Sequence, residues 1–376
     1  MRNSEFSFKL SIIIIVTSFV GSLLINTNFE TNLTFASISF DQSLQQSQDE
    51  IHSTKNNNQV QQTTSKTISA IGGNNSTFTQ TKDIPTQNSA SLSPSQQKIP
   101  MIDNISSQKV RVGDIDIAYK QIGHGTPLLL ISGSGNVMDV WPTHFLQELS
   151  KDHKVIIFDN RGVGNTTSGI KPFSIKQFAN DTAGFLSALK LQQADVLGFS
   201  MGSFVAQQFA LTYPDKVNRL ILYGASCGGQ ESTPQSPQVV IALSNFVNNH
   251  TEDETSFLEV TFPIKWIREN PNFLDTIPKT SEIILSTTLK KQFEINENWL
   301  STNWTGVCDQ LQKMTKPTLI ITGTKDQAVP AANSLLLADK IPGAWLVQIK
   351  DAGHGLMYQY PEIFTRVVET FLNVTN

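Results

Sequence analysis

Residues 194–210 read ADVLGFSMGSFVAQQFA, and this stretch decides the fold. Its first six residues, which contain the apolar run Val196 to Leu197, predict a buried strand, and the residues after Ser200 have the pattern of a helix. Ser200 lies between Gly198 and Gly202 at the junction. A sharp strand-to-helix turn needs small residues on both sides, and it would hold the Ser200 hydroxyl clear of the backbone. Because a serine hydroxyl is a poor nucleophile by itself, this interpretation requires a general base elsewhere in the chain.

Strand-like and helix-like segments alternate along most of the chain after residue 110. This alternation implies an α/β fold in which helices cover both faces of a mostly parallel sheet. A hairpin is predicted around the turn at residues 113–114. The other predicted strands lie at residues 127–132, 154–159, 194–199, 219–224, 317–323 and 344–349. Helices are predicted at residues 141–149, 175–190 and 201–211, and from residues 331 and 361 onward.

The general base and its partner follow from position along the chain. Of the six histidines, only His354 follows a late strand at the carboxyl edge of the predicted sheet. Asp326 lies in the loop just past a predicted strand and Asp159 ends another, but only Asp326 lies between Ser200 and His354 in the chain. The order Ser, Asp, His is the one expected when a hydrolase sheet carries the three groups. We therefore expect Ser200 as nucleophile, His354 as general base and Asp326 as the carboxylate that orients the base.

Five motifs carry a resemblance to a known family: LLLISGSG, DNRGVGNT, GFSMGS, GTKDQAVP and AGHGLMYQYP. From about Val110 to the C-terminus, the chain resembles a capped, single-chain α/β-hydrolase. The resemblance implies an eight-stranded, mostly parallel sheet, a helical cap inserted between strands 6 and 7, and no cofactor. It also implies an oxyanion hole formed by the backbone N–H groups of Met201 and Ser134. Many relatives have His-Gly where this chain has Ser132 and Gly133, a departure that leaves the backbone donor in place.

A serine nucleophile points to acyl chemistry, in which Ser200 attacks a carbonyl and water releases the acyl group. We expect a serine hydrolase that cleaves a small, apolar carboxylic ester or lactone. Two alternatives stay open. The first is an acyltransferase or a cofactor-free, peroxidase-like relative, and the second is a ligand-binding protein that keeps the fold with little turnover. The sequence does not identify the substrate-binding residues.

The charge balance bears on the partners of the protein. The 376-residue chain has 28 Lys and Arg against 32 Asp and Glu. This balance gives no reason to expect nucleic acid as a partner. The expected partner is a small-molecule substrate, which follows from the acyl chemistry expected at Ser200.

The chain divides into three parts by composition. In residues 1–25, basic residues precede an apolar run at residues 10–25, a pattern typical of an export signal or a membrane anchor. Residues 26–108 are rich in Ser, Thr, Asn and Gln, which predicts a disordered linker. Residues 109–376 remain for the hydrolase domain, with a cap at about residues 229–312 where the strand and helix alternation stops. We therefore expect an exported protein, either secreted or anchored in a membrane through residues 10–25.

Two cysteines, Cys227 and Cys308, flank the predicted cap. Their spacing does not fit a metal site, and no metal is expected. In an exported protein a bridge between them could persist. Because spacing alone establishes no geometry, we expect two unpaired, partly buried cysteines, with a disulfide as the alternative.

Overall fold

The structure is a computed structural model that describes residues 105–249, 254–278 and 284–374. The apolar run at residues 10–25 and nearly all of the expected linker, residues 26–108, lie outside these ranges, so the proposals made for them stay predictions. Within the described ranges, none of the helices combines the length and the apolar character needed to cross a membrane.

Eight strands form the central sheet: β1 (Gln108–Val112), β2 (Ile115–Ile122), β3 (Thr126–Ile131), β4 (His153–Phe158), β5 (Ala194–Phe199), β6 (Val217–Tyr223), β7 (Thr318–Gly323) and β8 (Trp345–Ile349). Their order in the sheet is β1-β2-β4-β3-β5-β6-β7-β8. β2 pairs antiparallel with β1 and β4, and all other neighbours are parallel. The predicted eight-stranded, mostly parallel sheet is therefore confirmed.

Helices flank the sheet and fill the interval between its sixth and seventh strands. The α-helices of the described residues are α1 (Thr143–Leu149), α2 (Ile175–Ala188), α3 (Met201–Thr212), α4 (Pro237–Asn249), α5 (Glu254–Thr261), α6 (Ile264–Glu269), α7 (Ser286–Leu300), α8 (Ala332–Lys340), α9 (Leu356–Gln359) and α10 (Pro361–Asn373). Short 3₁₀ helices lie at Met138–Val140, Pro214–Lys216, Phe273–Thr276 and Cys308–Lys313. Helices α4 to α7 follow β6 and precede β7, and we refer to this helical insertion as the cap.

The sheet has a hydrophobic core on each face. Along β3, the alternating residues Leu129 and Ile131 pack in the core that includes α2, α3 and α8. Leu128 and Leu130 pack in the core that includes α1, α9 and α10. All four are 0% exposed, so β3 is buried on both faces. This burial explains why the strand reads as a continuous apolar run.

Cys227 and Cys308 form a disulfide with a Cα–Cα distance of 5.1 Å, which falls within the range that a bridge spans. The expectation of two unpaired cysteines is therefore wrong. The physical reason lies in the sheet, because β6 and β7 are parallel neighbours. The chain leaves β6 and returns towards β7 along the same path, and the Val307 N–H donates to the Cys227 carbonyl at 2.9 Å.

Candidate active site

Ser200 occupies a strained turn between β5 and α3. Its backbone has φ 55° and ψ −123°, a region that residues other than glycine rarely adopt. A Cβ added to Gly198 would lie 2.3 Å from the Gly202 carbonyl oxygen, and one added to Gly202 would lie 2.0 Å from the Ile131 carbonyl oxygen. The backbone passes too close for any side chain at either position. The structure therefore has the tight strand-to-helix turn that the two glycines predicted.

His354 and Asp326 are paired at the carboxyl edge of the sheet. The His354 Nδ1 lies 2.8 Å from the Asp326 Oδ2, and the Asp326 side chain is completely buried. The other carboxylate oxygen of Asp326 accepts a hydrogen bond from the Val329 N–H at 2.9 Å. This contact fixes the carboxylate against the backbone. When the Nδ1–H of an imidazole donates a hydrogen bond to a carboxylate, Nε2 is the basic nitrogen of the ring.

The fold brings the three predicted residues to one place. Ser200 follows β5, Asp326 follows β7 and His354 follows β8, so all three lie at the carboxyl ends of parallel strands. Ser200 and His354 line the same cavity. Gly224, at the end of β6, lies between them in the sheet order, and a Cβ there would be 2.8 Å from the His354 Cε1 and 3.6 Å from the Asp326 Oδ2.

Two aromatic residues that the sequence did not single out support His354. The Tyr223 hydroxyl donates a hydrogen bond to the His354 backbone carbonyl. The Phe199 ring stacks on Tyr223 with centroids 4.6 Å apart and lies 5.0 Å from the imidazole. Complete burial, reinforced by the nearby Asp326 charge, raises the pKa of Tyr223 well above its ordinary value, so its hydroxyl stays a proton donor. Their position at the ends of β5 and β6 is the signal that could have identified them.

The glycine loop after β3 lies against the Ser200 turn. A Cβ added to Gly133 would lie 3.1 Å from the Ser200 Cβ. The Ser134 hydroxyl is 3.3 Å from the Met201 sulfur, so the loop contacts the start of α3. Within the described ranges, neither the Ser134 nor the Met201 backbone N–H donates to a protein acceptor. The two expected oxyanion donors therefore have no protein acceptor in this part of the chain.

The segment that follows β4 supports the glycine loop. The Asn160 side chain donates to the Ser132 carbonyl at 3.1 Å. Asp159 is fully buried and accepts hydrogen bonds from the N–H groups of Met138, at 2.7 Å, and Asn165, at 3.0 Å. These contacts give Asp159 a structural role in joining two loops.

The cavity beside Ser200 has a volume of about 240 Å³ and lies between the sheet and the cap. That volume is small for a ligand pocket. Most of its lining is apolar, and it includes Phe246, Phe257, Phe262 and Phe293 from the cap. Other cap aromatics pack inward instead, since Trp299 stacks on Phe204 with ring centroids 5.4 Å apart. The cap aromatics therefore serve two purposes, and only some of them face the cavity.

Comparison with known proteins finds related sequences and a similar fold. The sequence model of the alpha/beta hydrolase fold family matches residues 126–361, a range that contains Ser200, Asp326 and His354. A poly(3-hydroxyalkanoate) depolymerase from Ectopseudomonas oleovorans is 30% identical over 252 residues, which make up 66% of this chain and 85% of the depolymerase. A 2-hydroxymuconate semialdehyde hydrolase from Pseudomonas putida is 29% identical over 264 residues, 66% of this chain and 88% of that protein. The solved structure of Est816, an N-acyl homoserine lactone degrading enzyme, has a TM-score of 0.57 and 26% identity, and the match covers 70% of this chain and all of the other.

Proposed function

This chain belongs to the alpha/beta hydrolase fold family, and we propose that this hydrolase cleaves carboxylic esters or lactones through an acyl-enzyme formed on Ser200. One observation carries the proposal. A strained serine turn and a buried carboxylate–imidazole pair, joined at 2.8 Å, meet at one apolar cavity. Backbone strain at Ser200 and burial of the Asp326 carboxylate are each unfavourable for folding. Together they supply the nucleophile and the oriented base that nucleophilic catalysis requires.

In the proposed reaction, His354 Nε2 takes the Ser200 proton as the serine oxygen attacks the substrate carbonyl. Asp326 stabilises the imidazolium that forms and keeps the ring in the required tautomer. The N–H groups of Ser134 and Met201 bind the negative charge that develops on the carbonyl oxygen. His354 then protonates the leaving group. Water, activated by the same imidazole, releases the acid from Ser200.

The cavity supports a small and mainly apolar substrate. A volume of about 240 Å³ leaves room for a short acyl chain, and the cap phenylalanines offer it an apolar surface. Two of the relatives act on ester-type linkages by their names, a poly(3-hydroxyalkanoate) depolymerase and an N-acyl homoserine lactone degrading enzyme. These features favour an ester or a lactone as the substrate class.

We also propose that the protein is exported. The disulfide between Cys227 and Cys308 supports this, because such bonds persist in oxidising compartments. Fusion of residues 1–108 to a reporter that is active only outside the cytoplasm tests the proposal. An inactive reporter would refute it.

The reaction is tested with p-nitrophenyl esters of increasing acyl length. We expect the wild type to release p-nitrophenol and free acid, and Ser200→Ala to lower kcat by on the order of 10⁴. Ser107→Ala, at an exposed serine, is the matched control and should behave as the wild type. A fluorophosphonate probe should label the wild type and the control but not Ser200→Ala.

The outcomes separate the alternatives. Retention of most activity by Ser200→Ala would overturn the mechanism. Transfer of the acyl group to an added alcohol or amine in preference to water would indicate an acyltransferase. Binding of esters without turnover by the wild type would indicate a ligand-binding protein.

A further inference from the structure

Two amide side chains of the cap reach the glycine loop. The Gln292 Oε1 accepts a hydrogen bond from the Gly135 N–H at 2.8 Å, and the Asn296 Nδ2 donates to the Ser134 hydroxyl at 2.6 Å. Both residues belong to α7, four positions apart, so they lie on one face of the helix. The cap is thereby joined to the loop that carries one of the two oxyanion donors.

Asn296 has a polar atom that this contact leaves unused. Its Oδ1 is buried and has no hydrogen-bond partner among the described residues. The Ser134 hydroxyl lies 3.3 Å from the Met201 sulfur and can direct its proton there. It then accepts from the Asn296 amino group, an arrangement that turns the amide oxygen away from Ser134. A buried carbonyl without a donor is costly, and native proteins rarely retain one without a reason.

The position of the Asn296 side chain indicates what its amide could bind. Asn296 lines the same cavity as Ser200 and His354, whereas Gln292 does not line it. The Asn296 amide touches Ser134, the residue whose N–H is proposed to bind the oxyanion. A substrate group that hydrogen-bonds Asn296 would therefore lie close to the carbonyl that the Ser134 N–H is proposed to bind. Most of the surrounding lining is apolar. A carbonyl oxygen without a hydrogen-bond partner there favours substrates that carry a hydrogen-bond donor.

We propose that Asn296 is a substrate-recognition residue whose Oδ1 accepts a hydrogen bond from a hydroxyl or amide N–H near the scissile carbonyl. The preferred substrates are then hydroxyacyl or acylamino esters and lactones, not simple alkyl esters. This inference rests on the proposed hydrolysis at Ser200. Gln292 is a positioning residue that holds the glycine loop.

The test compares matched substrates on the full protein. These are p-nitrophenyl butyrate, its 2-hydroxy and 3-hydroxy derivatives, the methyl ethers of both, and the N-acetylglycine ester with its N-methyl counterpart. We expect at least one donor-bearing ester to exceed both butyrate and its own methylated form by about tenfold or more in kcat/KM. Butyrate lacks the methyl group of the methylated esters. Comparison with butyrate therefore separates recognition of the donor from a steric effect of that methyl group. The hydroxyl and amide arms identify which donor is recognised.

Variants then assign the preference to one side chain. In Asn296→Leu the ratio between the donor ester and its methylated form should fall to about one, whatever the overall rate, because no acceptor remains. Asn298→Leu makes the same change at an exposed position of the same helix, and it should keep the wild-type ratio. Gln292→Met should lower kcat for all esters alike, since it loosens the loop without touching the substrate.

The results separate the two proposals. A wild type that hydrolyses all the esters with equal kcat/KM overturns the role of Asn296 and leaves the proposed function standing. So does an Asn296→Leu protein that keeps the donor preference. A wild type that hydrolyses none of the esters refutes the proposed function itself. The kcat/KM ratio between donor and methylated esters is measured on the wild type, so this part of the test needs no variant. Fluorophosphonate labelling of Ser200 shows whether each variant is folded.

Discussion

Removal of the disulfide should destabilise the protein by an amount that follows from the length of the loop it closes. Cys227 and Cys308 are 81 residues apart, and the loop between them contains the whole cap. In the chain-entropy model, a loop of this length loses about 15 cal/mol/K of unfolded-state entropy when it is closed. At 25 °C this entropy stabilises the folded state by about 4.5 kcal/mol. That is a large part of the stability of an ordinary domain.

The measurement is urea unfolding of the wild type and of Cys227→Ala/Cys308→Ala, each with and without reductant. The wild type should lose about 3–5 kcal/mol on reduction, and the double variant should start near that lower value. The variant also serves as the control, because reductant should not change its stability. Both cysteines are 0% exposed, so a small residual difference between the reduced wild type and the variant would report lost packing.

Two results would refute this reasoning. One is a loss of less than about 1 kcal/mol on reduction of the wild type, which would contradict the loop-entropy estimate. The other is detection of two free thiols in protein denatured without reductant, which would contradict the bridge itself.

Three further predictions concern single positions. Burial raises the pKa of Asp195 to about 6 although Arg219 lies 3.6 Å away. The folded state therefore holds this proton more tightly than the unfolded state, and stability falls as pH rises from about 4 through about 6. From pH 4 to pH 8, the stability of Asp195→Asn relative to the wild type should rise by about 3 kcal/mol, and a stability difference that is the same at both pH values would contradict this. Tyr223→Phe leaves the His354 carbonyl without its hydrogen-bond donor. We expect thermal and urea unfolding to show a loss of stability of about 1–3 kcal/mol, and esterase assays to show a lower kcat at similar KM. A variant with the stability and kcat of the wild type would disprove this role of Tyr223. Gly202→Ala places a Cβ 2.0 Å from a backbone oxygen and should abolish fluorophosphonate labelling, whereas normal labelling would show that the turn can relax.

Local sequence was sufficient for most of the fold and for the three residues of the candidate site. Short apolar runs between turn residues located the strands, because burial on both faces of a parallel sheet requires apolar side chains at successive positions. The pair Gly198 and Gly202 located the turn at Ser200. The backbone contacts that exclude a Cβ at these two glycines come from the same strand-to-helix junction and from the neighbouring strand. Asp326 and His354 followed from chain order, since each comes directly after a strand of known direction.

Contacts between distant segments were decided only by the tertiary structure. The disulfide depends on β6 and β7 being neighbours, a fact of strand order that the spacing of Cys227 and Cys308 does not contain. The hydrogen bonds of Gln292 and Asn296 to the glycine loop join residues more than 150 positions apart. Such contacts depend on how the cap packs over the sheet edge. Hydrophobic periodicity indicates which face of α7 is buried, but it does not indicate which loop that face contacts.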